Sequence, residues 1–177
     1  DVPSADKDIG LLLRQAMDKV AFLPFGLMVD RYRWQLFDGT IPADQLNKGW
    51  NDLRLEYQGI VPPVERDESG FDAGAKYHIP GNVPYTRYFL ARILQFQFFK
   101  AACDQAGWEG PLHRCSFYGN EEVGKNLDAM LEMGASKPWP DALEAFTGER
   151  QMSGTAMVEY FAPLKAWLDE QNAGQTE

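Results

Sequence analysis

The stretch Phe89-Leu-Ala-Arg-Ile-Leu-Gln-Phe-Gln-Phe-Phe99 carries apolar side chains on nearly every side of a helix, and it decides how this chain can fold. The helical pattern around it extends from about residue 84 to residue 106. A helix that is apolar around most of its circumference has to be covered by other elements. We therefore expect this helix to lie in the middle of the fold.

The N-terminal part of the chain also has the spacing of a helix. Apolar residues recur at steps of three and four, at Leu12, Ala16, Val20, Leu23 and Leu27. They predict one helix over about residues 5–37, with Ser4 as its capping residue. Because Pro24 lies inside this helix and has no backbone donor, we expect a kink or break there.

A second helix is expected to begin at Pro42 and to end at Gly59. It carries Trp50, Leu53, Arg54 and Tyr57. The stretches 61–64 and 67–70, which contain proline, glycine and charged residues, then predict an irregular connection.

Three further helices are expected after the apolar one. They lie near residues 121–133, just after Pro140, and over residues 153–171. The last has an apolar stripe and a proline that predicts a bend, at Met157, Phe161, Leu164 and Leu168, with Pro163 between them.

These patterns predict an all-α fold in a single helical segment, residues 1–177. Alternating apolar and polar residues never persist over a useful length, so strands are not expected. The predicted helices cover the apolar one only in part. We infer that additional surface covers the rest, either from a second subunit or from another part of a longer polypeptide.

Composition excludes several classes of function. With 177 residues and 45% hydrophobic content, the chain can bury a sizeable core. Its formal net charge of -9 repels nucleic-acid phosphates, so no nucleic-acid partner is expected. No apolar run is long enough to span a bilayer, and the N-terminal residues 1–8 contain no signal-peptide pattern.

Two cysteines, Cys103 and Cys115, enclose a segment that contains Gly107 and Gly110 and can therefore turn back on itself. A disulfide is the favoured interpretation, and it would indicate an oxidising compartment. Two alternatives stay open. One is a metal site with His113, although its spacing matches no standard zinc motif, and the other is a pair of reduced, buried cysteines.

The stretch Lys76-Tyr-His-Ile-Pro-Gly-Asn-Val-Pro-Tyr-Thr-Arg-Tyr88 is rich in groups that donate hydrogen bonds to anions. It precedes the apolar helix directly. The chain has no His-Glu-x-x-His motif and no nucleophile with an obvious base. These residues therefore predict the substrate-binding half of an active site without its reacting centre.

Several motifs in the same order resemble the C-terminal part of the catalytic domain of the angiotensin-converting enzyme family. They are Ala21-Phe-Leu-Pro-Phe25, Ala75-Lys-Tyr-His-Ile-Pro80, Val83-Pro-Tyr-Thr-Arg-Tyr-Phe89, Gln95-Phe-Gln-Phe98 and Ser136-Lys-Pro-Trp-Pro140. The resemblance covers nearly the whole chain. It implies a larger, mostly helical zinc-peptidase domain with a central substrate cleft, in which the zinc ligands lie upstream of this segment.

The resemblance assigns roles to four residues of the polar stretch. Lys76 and Tyr85 resemble the pair that binds the free C-terminal carboxylate of a peptide. His78 resembles a residue that hydrogen-bonds the substrate backbone, and Tyr88 one that stabilises the oxyanion of the tetrahedral intermediate. Without the resemblance, a solvated lysine, a core tyrosine and an ordinary polar histidine are the favoured interpretations.

The same resemblance implies anion sites and side-chain pockets. Arg87 resembles one chloride ligand, while Trp50 and Arg54 resemble part of a second chloride site. Phe22 resembles a wall of the pocket for the C-terminal side chain, and the pocket on the other side of the cut bond corresponds to Tyr77 and Val83. An ordinary salt bridge for each arginine and plain core packing for the aromatic residues are the alternatives.

Two positions depart from the family pattern, and one pair agrees with it. Arg92 stands where the family commonly has a phenylalanine, which predicts either a preference for acidic or polar C-terminal residues or a side chain that points elsewhere. Asn51 replaces a frequent tryptophan. Cys103 and Cys115 match the family's C-terminal disulfide. That match implies a secreted or periplasmic setting.

The implied function is the substrate-binding part of a zinc-dependent peptidyl-dipeptidase, which releases C-terminal dipeptides from peptides with a free C-terminus. Zinc and its ligands would belong to the upstream part of the same enzyme, with chloride as a second ion. We expect no zinc ligand in this chain and no activity of the chain by itself. The alternative is a non-catalytic helical module that binds peptides or partners.

Overall fold

The structure, a computed structural model, describes residues 3–175, so Asp1, Val2, Thr176 and Glu177 of the predicted segment lie outside it. Helices are the only regular elements in this range, and the described residues form no strand. The prediction of an all-α fold is confirmed. The α-helices are α1 Asp8–Lys19, α2 Phe22–Phe37, α3 Leu46–Gln58, α4 Thr86–Gln105, α5 Glu121–Glu132, α6 Trp139–Thr147 and α7 Thr155–Gln171.

The single helix predicted over residues 5–37 is wrong, because α1 and α2 are separated by a break at Val20 and Ala21. The break comes before Pro24 and not at it. Pro24 lies in the first turn of α2, where backbone N–H groups have no acceptor within the helix. The missing N–H of proline therefore costs no helical hydrogen bond there. Val20, predicted to be on the buried stripe, is consequently exposed, whereas Leu12 is buried.

Ser4 precedes a short 3₁₀ turn, Ala5–Lys7, but its side chain makes no capping hydrogen bond. The predicted start of the second helix was also wrong, since α3 begins at Leu46 rather than at Pro42. Its predicted end at Gly59 is confirmed. Gly59 has a φ of 65°, which glycine adopts without strain, and its N–H donates to the carbonyl of Leu55 at 3.0 Å.

The later helices agree with the prediction to within a few residues. α4 has the apolar circumference expected of it, yet of its large apolar residues only Phe96 is fully buried, and the rest of those singled out above are half-buried. In α7, Met157, Phe161 and Leu164 form the buried stripe. The additional cover for α4 stays a prediction.

The chain forms two compact units. The middle unit is Met17–Ala91, and its core contains Met28, Val29, Tyr32, Trp50, Leu53, Ile79 and Tyr85. The end unit combines Asp1–Ala16 with Arg92–Glu177, and one of its clusters is built from Ala102, Val123 and Phe146.

The predicted disulfide joins Cys103 and Cys115 within the end unit, with the two Cα atoms 6.1 Å apart. It closes a loop that contains a 3₁₀ turn, Leu112–Arg114. His113 is not a metal ligand in this arrangement: its Nε2 lies 2.9 Å from a carboxylate oxygen of Asp8. None of the helices in residues 3–175 has the length and apolarity required to cross a bilayer.

Candidate functional site

Four of the predicted site residues lie together at the start of α4 in the middle unit. The ring of Tyr85 is centred 4.7 Å from that of His78 and 4.9 Å from that of Tyr88, and the rings of His78 and Tyr88 are 5.5 Å apart. Lys76 completes the group, because its Nζ lies 4.6 Å from the centre of the Tyr85 ring. We call Lys76, His78, Tyr85 and Tyr88 the polar cluster.

The ammonium group of Lys76 is held by aromatic faces. Its Nζ lies over Tyr85 and also over Phe25, at 5.4 Å from the second ring centre. A cation in this position is attracted by the negative face of each ring. Among residues 3–175 no carboxylate forms an ion pair with it, so the charge is open to an external anion.

His78 is half-buried, and its Nδ1 is buried without a hydrogen-bond partner. The pKa of His78 is lowered from 6.5, first because burial disfavours the charged imidazolium and then because Lys76 and Arg33 place positive charge nearby. The imidazole is therefore neutral at neutral pH. A neutral imidazole can donate from one nitrogen and accept at the other.

The two tyrosines of the polar cluster differ in exposure. Tyr85 is only 6% exposed and belongs to the core of the middle unit, which agrees with its reading as a core residue, whereas Tyr88 is 43% exposed. Arg87 lies between them in sequence and is exposed, without an ion-pair partner in residues 3–175. Tyr88 and Arg87 are thus more accessible to a ligand than Tyr85.

A tight loop connects His78 to Tyr85. The N–H of Val83 donates to the carbonyl of His78 at 3.0 Å, and the N–H of Gly81 donates to that of Tyr77 at 2.8 Å. A Cβ at Gly81 would lie 2.8 Å from the same carbonyl oxygen, so only glycine fits. Tyr77 itself is 69% exposed, while Val83 is half-buried.

Phe22, at the start of α2, also lies near the polar cluster. Its ring centre is 6.0 Å from that of Tyr85 and 6.3 Å from that of Phe25. A Cβ at Gly26 would approach the Phe22 ring to 2.8 Å, so glycine one turn later makes room for this ring. Phe22 could form one wall of an aromatic pocket beside Lys76.

Trp50 and Arg54 line a surface groove of about 540 Å³ in the middle unit, together with Asn51 and Lys76. The Nε of Arg54 is buried there and has no hydrogen-bond partner. A second arginine of the groove, Arg66, is instead paired with Asp72. An unpartnered guanidinium nitrogen beside a buried indole suits a small anion such as chloride.

A zinc ion does not fit the residues described here. Within residues 3–175 no group of three or more His, Cys, Asp or Glu side chains could hold a metal ion. A zinc site normally needs at least three such ligands.

Two buried charges near the polar cluster were missed by sequence reasoning. Asp30 and Arg33, in α2, form an ion pair at 2.6 Å, and both side chains are almost fully buried. The available signal was their spacing of three within a helix that is otherwise largely apolar.

The helical fold and the polar cluster define an all-α protein with a candidate site for an anionic group. A family-level sequence model described as angiotensin-converting enzyme matches residues 1–177. The chain therefore belongs to the angiotensin-converting enzyme family, which confirms the resemblance stated above.

Individual relatives agree with this assignment. The angiotensin-converting enzyme of Mesocricetus auratus is 49% identical over 167 residues, that of Oryctolagus cuniculus 48% over 172, and that of Haematobia irritans exigua 52% over 167. These alignments cover 94%, 97% and 91% of this chain. The chain spans 13% of the length of the first two relatives and 27% of the third.

Proposed function

We propose that this chain, both units together, is the substrate-binding part of a zinc-dependent peptidyl-dipeptidase that removes C-terminal dipeptides from peptides. The observation that carries the proposal is the polar cluster: an unpaired ammonium group stacked on Tyr85, with His78 and Tyr88 in contact with the same ring. Family membership supports the reaction class. The partner is the zinc-bearing part of the same enzyme.

Each residue of the polar cluster has a defined task in this proposal. Lys76 and Tyr85 bind the free carboxylate of the peptide, which sets the distance from the C-terminus to the cut bond. His78 hydrogen-bonds the substrate backbone, and Tyr88 donates to the oxyanion that develops during the reaction. Phe22 faces the C-terminal side chain, and Tyr77 and Val83 face the residue on the other side of the cut bond.

Two ions belong to the proposal. A zinc ion bound by ligands outside the described residues would polarise the scissile carbonyl and activate water. Chloride would bind at Arg54 and Trp50, where a guanidinium nitrogen lacks a partner, and at Arg87. The disulfide fits an oxidising compartment, so we place the protein outside the cell or in the periplasm.

Replacement of Lys76 tests the carboxylate clamp. We expect Lys76→Met to weaken binding of an N-acetylated dipeptide by about 1.5 to 3 kcal/mol, because one charge-assisted contact is lost. The same dipeptide with an amidated C-terminus should bind the unmutated protein weakly, and the substitution should not change this. Isothermal titration calorimetry on the native protein measures both affinities.

Lys48→Met is the matched control, since Lys48 is an exposed lysine of the same unit that pairs with Asp52. If Lys76→Met and Lys48→Met bind the free-carboxylate dipeptide equally well, the clamp is not at Lys76. Dipeptide binding without any release of dipeptides by the native protein would instead favour the non-catalytic peptide-binding module.

Tyr88→Phe tests the oxyanion role. Removal of the hydroxyl should lower kcat for dipeptide release by roughly a hundredfold, because a donor to the transition state is lost, and should leave KM nearly unchanged. Steady-state kinetics of the native enzyme with a peptide ending in a free carboxylate measures both constants. An unchanged kcat would remove Tyr88 from the reaction.

A further inference from the structure

Asp30 is a buried carboxylate that the proposed peptide clamp does not use. It is 2% exposed, and its Oδ2 accepts hydrogen bonds from the backbone N–H of Tyr85 at 2.8 Å and from that of Thr86 at 2.7 Å. The hydroxyl of Thr86 donates to the same oxygen at 2.8 Å. The other oxygen accepts from Arg33 at 2.6 Å. Four donors inside the protein thus occupy this one carboxylate.

These contacts make Asp30 a cap for α4 that comes from another helix. The first N–H groups of a helix lack acceptors within the helix and need them from outside. A short polar side chain just before the helix usually supplies one, but α4 is preceded by Tyr85 and Pro84, neither of which can. Asp30 in α2 takes this role and so fixes where α4 begins.

Arg33 extends the same arrangement to the loop before α4. Arg33 is 5% exposed, and its guanidinium donates to Asp30 and also to the side-chain oxygen of Asn82. Asn82 adopts a φ of 51°, which is uncommon for a residue other than glycine. The loop that runs from His78 to Tyr85 is therefore tied to α2 at Asn82 and again at its end.

A buried ion pair of this kind needs an explanation other than stability. Apolar residues of the same size are often equally or more stabilising in such a position, because both charges must be removed from water. Burial alone would raise the pKa of Asp30, but the hydrogen bonds from Thr86, Arg33 and Tyr85 outweigh it and hold the pKa below its ordinary value. Asp30 is consequently ionised at neutral pH and remains an acceptor for all four donors.

We propose that Asp30, held by Arg33, is a positioning residue of the peptide clamp, which sets the start of α4 so that Tyr85 and Tyr88 face one ligand together with His78. The inference rests on the proposed function, since the clamp is the site that is positioned. Asp30 would not touch the peptide. It would act through the backbone of Tyr85 and Thr86.

The decisive variant is Asp30→Asn, which keeps the size of the side chain but removes its charge and one acceptor. We expect it to weaken binding of the N-acetylated, free-carboxylate dipeptide by about tenfold, the effect of one lost charge-assisted hydrogen bond. KM for a peptide with a free carboxylate should rise correspondingly in the native enzyme. In Asp30→Asn the backbone amides of Tyr85 and Thr86 should also exchange with solvent faster than in the unmutated protein. The later amides of α4 should be affected less.

A matched control separates positioning from general stability. Gln97→Ala removes a buried side chain of the end unit that bonds to Glu149, Gln151 and Ser153, far from α2 in sequence. A loss of stability weakens the apparent affinity only where the unfolded fraction becomes appreciable, so all variants are compared at a temperature at which circular dichroism shows them folded. Gln97→Ala should therefore leave both the dissociation constant and KM unchanged.

A second variant covers the case in which Asp30→Asn does not fold. Thr86→Val removes one donor to Asp30 and retains the charge and the shape, and it should raise KM by a few-fold. An unchanged dissociation constant and KM in folded Asp30→Asn, or in Thr86→Val where that is the variant that folds, overturn the positioning role.

The failure of the proposed function looks different. In that case the unmutated protein would not distinguish the free dipeptide from its amide, and Lys76→Met would have no effect. Amide exchange at Tyr85 and Thr86 then decides about Asp30 alone: unaltered rates in Asp30→Asn would show that the carboxylate does not hold the start of α4.

Discussion

Lys76 and His78 are coupled because both lie against the ring of Tyr85. The ring centres of His78 and Tyr85 are 4.7 Å apart, and the ammonium of Lys76 lies 4.6 Å from the centre of the Tyr85 ring. A positive charge so close opposes protonation of the imidazole, in addition to the cost of burial. The protonation state of His78 therefore reports on the charge that the clamp presents to a ligand.

Lys76→Met should raise the pKa of His78 toward 6.5 without reaching it, because the burial of the imidazole remains. A titration of the imidazole proton signals by NMR measures this, with His78→Gln to assign the two histidines of the chain. Lys48→Met should leave the titration unchanged. Identical His78 titrations in Lys76→Met and the unmutated protein would contradict the coupling.

The lowered pKa of His78 also makes the stability of the protein depend on pH. Between the lowered pKa and 6.5 the unfolded chain binds more protons than the folded protein, so stability increases with pH across this window. Protonation of His78 thus opposes folding as the pH falls through 6.5. A bound carboxylate would reduce this effect, since a negative charge beside the imidazole favours its protonation.

Helix ends show which parts of the fold could be predicted. The end of α3 at Gly59 was predicted because glycine is a local signal. Its start was not, since the first N–H groups of α3, at Asn47 and Lys48, donate to the carboxylate of Glu68 at 2.8 Å, and that residue lies about 20 positions later in the chain. When the capping residue comes from a distant loop, the sequence near the start of the helix contains no capping signal.

Gly59→Ala tests the local signal. The added methyl group would meet no atom within 4 Å, so the cost comes only from the φ of 65°, and we expect a loss of about 1 kcal/mol in the free energy of unfolding. Gly124→Ala, inside α5 and equally free of contacts, should instead gain about 0.5 to 1 kcal/mol. Urea denaturation of both variants measures the difference. Equal changes in the two variants would show that φ is not the cause.

At the scale of the whole molecule, the candidate site was predictable where chain connectivity brings its residues together. Lys76, His78, Tyr85 and Tyr88 belong to one short stretch, so the loop between them can hardly separate them. For the ion pair of Asp30 and Arg33 the local spacing indicates the pairing, but its burial and its contacts with the loop before α4 were not predictable. Its partners come from residues 49 to 56 positions away, and burial of both charges depends on how α2 packs within the middle unit.

In the end unit, a half-buried carboxylate of α1 forms an ion pair with a residue more than a hundred positions later in the chain. Asp8, at the start of α1, accepts hydrogen bonds from Arg114 at 2.6 and 2.7 Å and contacts His113 at 2.9 Å, and both partners lie in the loop closed by the disulfide. Hydrogen bonds from Arg114 and then from His113 lower the pKa of Asp8 from 3.8 to about 2. This contact therefore contributes stability above pH 3.8 that is lost as the pH falls through about 2.

Asp8→Asn should lower the stability of the end unit at neutral pH and have a smaller effect near pH 2, where about half of the Asp8 carboxyl groups of the unmutated protein are themselves protonated. Asp169→Asn, which removes an exposed ion pair with Lys165 in α7, should change stability much less. If the disulfide holds His113 and Arg114 in place for Asp8, the cost of Asp8→Asn must shrink in a Cys103→Ser/Cys115→Ser background. Denaturant unfolding at several pH values measures this double-mutant cycle, and costs that simply add would mean that the loop keeps its shape without the disulfide.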